Sequence, residues 1–232
     1  MLSYDELFDL VTKRRSVRKF KPDMVSDELI NKILDVARQA PSGANHQPWE
    51  FIVIKDKALK DQLVAIIQDG LRWNQQLEDT REEEMQHPSK FHPVEALGFK
   101  DAPVFILVLG DPRARQAQVL AAQLERQSFI SSLSNAFIYM HLAATALGLG
   151  SQWVSAAHAS LVAARIKKVL DIPEGYDIFD LFVLGYPDQT PKPRRVRELP
   201  ELIHQNKFDR SKSRSDEEVK RFARQLQVDR KT

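Results

Sequence analysis

The stretch "APVFILVLGDP", residues 102–112, is a continuous apolar run closed by Gly110, Asp111 and Pro112. Alternating polarity would mark a strand with one wet face. A short run without alternation, bounded by turn residues, marks a strand buried on both faces. It is expected at the centre of a sheet. A second constraint comes from residues 115–147, which carry strong helix formers and neither Gly nor Pro. Their second half, "FISSLSNAFIYMHLAATALG", is apolar around most of a helical circumference, so this helix must be buried in a core or in a subunit interface.

The flanking elements follow from caps and periodicity. Ser3 and Glu6 have capping-box spacing, and Leu7, Leu10 and Val11 share a helical face, which predicts a helix to about Arg14. Ser26, Asp27 and Glu28 start a second helix with the stripe Leu29, Ile30, Ile33, Leu34 and Ala37, and Pro41 is expected to stop it. Strands are predicted over Glu50–Ile54, at "SQWVS" and over Phe179–Leu184, with helices from Leu59 and over Leu161–Leu170. Residues 72–99, with "LEDTREEEMQHPSKFHP", read as a partly helical surface excursion or lid. After Pro193 the chain becomes a basic arm with weak periodicity. No interdomain linker or internal repeat is visible, so one domain with a long C-terminal extension is the simplest parse.

Composition excludes several function classes. Apolar residues make up 43% and charged residues 28% of the 232, close to the averages for soluble globular proteins. A net charge of +2, from 34 basic and 32 acidic residues, supplies no strong field for nucleic acid or anionic membrane. No run of about 18 apolar residues occurs, so no membrane span is expected. The opening "MLSYDELFDL" has neither a basic leader nor an apolar core, and the expected compartment is the cytoplasm. The absence of cysteine removes disulfides, thiolate nucleophiles and Cys-ligated metal centres.

Three stretches could carry chemistry. "KRRSVRKF" gathers Lys13, Arg14, Arg15, Arg18 and Lys19 around Ser16, a set of guanidinium forks and a hydroxyl suited to a phosphate dianion. A solvated basic face, or a kinase recognition site at Ser16, would read the same way. "PKPRRVREL" adds Lys192, Arg194, Arg195 and Arg197, a second group that could compensate a phosphate from another side or simply face water. "APSGANHQPW" combines Gly43, which lets backbone approach a ligand, with Ser42, Asn45 and Gln47, which can pair with a planar heterocycle. A structural turn accounts for Pro41, Gly43 and Pro48, and leaves the amides unexplained. Trp49 and Trp153 read as core or pocket-wall residues. GxGxxG, GxxxxGK[ST] and GxSxG are absent, and the six histidines are scattered without a helical i, i+4 pair, so no metal site and no dedicated catalytic side chain is assigned.

Together these blocks resemble the FMN-dependent nitroreductase family, a group of flavoproteins that includes halotyrosine deiodinases. "RRSVRKF", "APSGANHQPWEFIVI", "LGLGSQWVS" and "LGYP…PRRVRELPELIH" occur in the family's order and span roughly residues 3–208. The resemblance implies an α+β, three-layer fold in which a central, mostly antiparallel mixed sheet is wrapped by helices, in an intertwined homodimer with FMN at the subunit interface. It implies a nitroreductase-like FMN-binding domain over residues 1–208 and a basic extension over 209–232.

Residue by residue, the resemblance places Arg14, Arg15, Ser16 and Arg18 around the FMN phosphate and ribityl chain. Pro41, Ser42, Gly43 and Asn45 would border the isoalloxazine, with Gln47 near its polar edge. Trp153, Val154 and Ser155 would cover the opposite side, and Arg195 and Arg197, or Arg194 by a one-residue shift, would complete the phosphate site. The implied activity is ping-pong reduction of a nitroaromatic, quinone or related small aromatic acceptor, with NADH or NADPH as hydride donor. Reductive dehalogenation and non-catalytic flavin binding are the alternatives. The deiodinase branch uses a Glu, a Tyr four residues later and a Lys on its lid, whereas "GLRWNQQLEDTREEEMQ" contains no tyrosine.

Overall fold

A computed structural model describes residues 3–82, 97–114 and 122–231. These divide into two compact units: residues 3–74 with 97–191, and residues 75–82 with 192–231.

The first unit holds a four-stranded sheet. β1 (Trp49–Ile54) pairs antiparallel with β2 (Val104–Gly110), β2 with β4 (Asp177–Gly185), and β4 with β3 (Gly150–Val154). The order is therefore β1-β2-β4-β3, with the continuous apolar run second from one edge and every residue of it buried. Among the described residues all strand pairs are antiparallel, and the parallel component of the expected mixed sheet is an isolated bridge between Ser16 and Ser151. A register shift between Val108 and Leu109 leaves Phe179 as an extra residue on β4, beside Asp180.

Side chains alternate across β2 because successive Cβ atoms point to opposite faces. Phe105, Leu107 and Leu109, with Leu181 and Val183 of β4, pack on Leu63 and Ile67 of α3 (Lys57–Asp79) and on Val162 and Ile166 of α5 (Ser160–Val169). Val104, Ile106 and Val108, with Phe182 and Leu184, pack on Ile30, Ile33 and Ala37 of α2 (Asp27–Ala37) and on Phe137, Met140 and Ala144 of α4 (Ala122–Ala146). Helices thus cover both faces of the sheet, giving the expected three layers. Each fully buried side chain of this size contributes about 1.5–3 kcal/mol relative to exposure.

α1 (Tyr4–Lys13) begins with a reciprocal capping box: Glu6 N donates to Ser3 Oγ at 3.2 Å and Ser3 N to Glu6 Oε2 at 2.7 Å. It buries no residue fully, and Tyr4, Leu7 and Phe8 stay exposed. α2 is capped by Ser26, whose Oγ accepts from Leu29 N, and ends at Ala37, ahead of Pro41. α4 resolves the expectation of an all-round apolar helix: Phe129, Leu133, Ala136, Phe137 and Met140 are core, while Ile130 and Ile138 are exposed.

α3 runs further than its apolar stripe predicts, through Asp79. Polar contacts sustain its end, Arg72 with Asp69 at 3.2 Å and Gln75 with Asp79 at 2.9 Å. The rest of the expected lid, residues 83–96, lies outside the described residues, as do 115–121 of the long apolar helix.

Within the second unit, α6 (Leu199–Leu202) is followed by a 3₁₀ turn (Arg210–Lys212) and α7 (Asp216–Lys231). Lys212 Nζ donates to the carbonyls of Pro200 and Ile203 at 2.9 and 2.8 Å, and Ser215 with Glu218 forms a second capping box. The basic arm therefore carries a helix of its own.

Candidate functional site

The glycine-, amide- and proline-rich loop after α2 is held in an unusual conformation. Ser42 precedes a 3₁₀ turn over Gly43–Asn45, and Ala44, Asn45 and Gln47 take positive φ of 47°, 57° and 47°. Each left-handed non-glycine residue costs about 1–2 kcal/mol, so the surroundings must over-determine the loop.

α4 does so. Gly43 N donates to Ser132 Oγ at 3.1 Å, Ser132 Oγ donates to the Ser128 carbonyl at 2.6 Å, and Asn135 Nδ2 donates to the Pro41 carbonyl at 2.9 Å. Gln47 N closes the loop on Ser42 Oγ at 3.0 Å, and Asp111 N donates to the Pro48 carbonyl at 2.7 Å. At Gly43 a Cβ would come within 3.0 Å of Ser128 Oγ, so the missing side chain makes room for α4. Asn45 and Gln47 face outward, whereas Trp49 is buried against Phe129, Leu133 and Ala136.

The arginine segment leaves α1 and lies along β3. Val17 N donates to the Ser151 carbonyl at 2.9 Å, next to the Ser16–Ser151 bridge, and Lys21 N donates to the Tyr186 carbonyl at 2.9 Å. Arg15 Nη1 turns back to the carbonyls of Thr12 and Arg14. Arg18 N donates to Gln189 Oε1 at 3.3 Å.

His141 of α4 sits behind this segment, 3% exposed, with Nδ1 2.7 Å from Ser151 Oγ. Burial, reinforced by the nearby Arg14 charge, lowers its pKa to about 3, so the ring is neutral. Gln152 Oε1 is a buried acceptor without a hydrogen-bond partner among the described residues.

Trp153 is 37% exposed. Its indole lies 4.4 Å from the Phe137 ring and 5.9 Å from that of Phe179, and its Nε1 donates to the buried Asp180 carboxylate. The other Asp180 oxygen is 2.9 Å from His158 Nδ1. Burial raises the Asp180 carboxyl above the usual range, and the two hydrogen bonds oppose that shift. Val154 points into the opposite core, while Ser155 is exposed.

One helix thus touches three of the sequence blocks: α4 holds the Pro41–Gln47 loop by Ser132 and Asn135, Trp153 by Phe137, and the Ser16–Ser151 junction by His141. From Ser128 to His141 a helix rises about 20 Å, so the blocks are laid out along a line suited to an elongated ligand. Guanidinium and hydroxyl donors at one end, with amides and an aromatic wall further along, fit a phosphorylated planar heterocycle.

Arg195 and Arg197 belong to the second unit. There they line a cavity of ≈ 660 Å³ with Lys212, Arg214 and Phe222, and Arg197 Nε donates to Glu201 Oε2 at 3.3 Å. Sequence reasoning missed Ser132, Asn135, His141 and Asp180. Only Asp180 left a local signal, a lone carboxylate inside the apolar strand "IFDLFVL". Among the described residues no group of His, Asp and Glu could hold a metal ion, and no helix is long and apolar enough to cross a membrane.

The sequence profile of the nitroreductase family matches residues 11–186. A protein of Methanothermobacter thermautotrophicus with the provisional name NADH dehydrogenase/NAD(P)H nitroreductase is 28% identical, over 88% of each chain. A 5,6-dimethylbenzimidazole synthase of Rhodospirillum rubrum is 30% identical over 85% of this chain and 87% of its own. An iodotyrosine deiodinase of Thermotoga neapolitana is 28% identical over 82% and 93%. Among solved structures, a BluB-like flavoprotein from Clostridium difficile 630 aligns with a TM-score of 0.69 at 29% identity, covering 87% of this chain and 99% of that one. A nitroreductase with bound FMN from Desulfitobacterium hafniense aligns with a TM-score of 0.64 at 28% identity, covering 86% and 97%.

Proposed function

This chain belongs to the nitroreductase family, and from that premise we propose that it is an FMN-dependent NAD(P)H oxidoreductase that reduces nitroaromatic, quinone or related small aromatic acceptors. The observation that carries the reading is the convergence of the Pro41–Gln47 loop, Trp153 and the Ser16–Ser151 junction on α4. When bound, FMN would supply the redox chemistry that links oxidation of NADH or NADPH to reduction of the acceptor in a ping-pong cycle.

The chain's own residues bind and orient. Arg14, Arg15, Ser16 and Arg18 would hold the phosphate and ribityl end through charge-assisted hydrogen bonds. Pro41, Ser42, Gly43, Asn45 and Gln47 would frame one side of the isoalloxazine, and Trp153 and Ser155, with the backbone of Val154, the other. The left-handed backbone of Ala44, Asn45 and Gln47 supports a loop built for a ligand, since strain of this kind persists at binding sites. No side-chain nucleophile or metal is required. The exposed stripe of Tyr4, Leu7 and Phe8, and the exposed Ile130 and Ile138 of α4, support a homodimer with the flavin at its interface.

The test is an absorbance spectrum of the purified protein, then anaerobic titration with NADH and NADPH and reoxidation by a nitroarene, a quinone and a halotyrosine. Yellow protein that releases FMN on denaturation, and is bleached by one nucleotide, is expected. A colourless protein that takes up no added FMN overturns the reading, and turnover of the halotyrosine alone would move it to reductive dehalogenation. Arg14→Glu should weaken FMN binding by about ten-fold or more, the loss of at least one charge-assisted bond.

A further inference from the structure

Asp180 is 3% exposed yet carries an acceptor-only carboxylate, which burial makes costly unless both oxygens are engaged. Both are: Trp153 Nε1 donates to Oδ2, and His158 Nδ1 lies 2.9 Å from Oδ1. Among the described residues Trp153 also makes ring contacts with Phe137, His141 and Phe179, which restrict the plane of its indole. The His158 side chain is 58% exposed, so Asp180 is its buried anchor.

We infer that Asp180 is a positioning residue: from beneath the sheet surface its carboxylate pins the Trp153 indole and the His158 imidazole together as one fixed wall of the flavin and acceptor site. This rests on the reading that the Trp153–Ser155 segment borders the flavin. The geometry also fixes a tautomer. A carboxylate cannot donate, so neutral His158 carries its proton on Nδ1, and Nε2 remains as the acceptor on the exposed side of the ring.

Asp180→Asn separates positioning from mere burial. An asparagine can still accept from Trp153 Nε1 through Oδ1, but its Nδ2 donates, so His158 Nδ1 must accept and the proton moves to Nε2. In apoprotein at pH 8, nitrogen-15 NMR should find His158 as the Nδ1–H tautomer in the parent and as the Nε2–H tautomer in Asp180→Asn. In holoprotein, Asp180→Leu and Trp153→Phe, which each break the indole bond, should change the visible circular dichroism of the flavin. Both should raise the acceptor KM about five-fold, the equivalent of one ordinary hydrogen bond, while Asp180→Asn retains the parental flavin dichroism.

An Nε2–H tautomer in the parent, or an unchanged tautomer in Asp180→Asn, overturns the inference. Parental flavin dichroism and KM in Trp153→Phe overturn it as well, whether or not Asp180→Leu folds. Failure of the parent to bind FMN would instead overturn the proposed function, and the apoprotein NMR would still decide the role of Asp180.

Discussion

Replacing His141 with asparagine should flatten the acid side of the stability profile. The ring is buried among Phe137, Phe182 and Trp153, accepts or donates at Ser151 Oγ, and is held neutral with a pKa of about 3, against an ordinary value of about 6.5. The folded-state pKa is depressed, so the stability is fully present above the unfolded pKa and is lost as pH falls, because the unfolded chain gains a proton that the folded chain refuses. Between pH 8 and pH 5 that difference amounts to about 2 kcal/mol, and the loss continues down to about pH 3. Asparagine offers a polar group near the position of Nδ1 and does not titrate. Urea unfolding of both apoproteins at pH 8, 6.5 and 5 isolates the effect, since the other titrating groups are common to the two. The parent should lose about 2 kcal/mol more than His141→Asn over this range. Parallel profiles would refute a buried neutral histidine at this position.

Ser132→Ala should remove the anchor of Gly43 N and cost about 1 kcal/mol, read as a fall in Tm of about 2–4 °C, with weaker FMN binding from the loosened loop. An unchanged Tm and FMN affinity would show that the left-handed loop does not depend on α4. At Gly98 a Cβ would lie 2.2 Å from the Arg18 carbonyl, so Gly98→Ala must displace the arginine segment. Its expected signature is reduced FMN affinity with the sheet intact by far-ultraviolet circular dichroism, and parental affinity would separate the Arg18 backbone from the phosphate site.

The sequence by itself determined most of the elements of the first unit. The unbroken apolar run of β2 could only be a strand covered on both sides, and the Ser3 and Ser26 caps fixed where α1 and α2 begin, because these signals are local and act within a few residues. The end of α3 was illegible for the same reason: beyond Arg72 its apolar residues, Trp73 and Leu77, stay exposed, and side-chain pairs rather than a buried stripe sustain it. The blocks from Arg14 to Arg18, Pro41 to Gln47 and Trp153 to Ser155 could be named as candidates from residue type, while their juxtaposition could not. Tertiary structure decided that, because the hydrogen bond that holds Gly43 reaches Ser132 across 89 residues, and no local pattern encodes such a contact. It also decided that Asp180 lies buried between two rings and that His141 stays neutral, since desolvation depends on what the whole fold packs around a group.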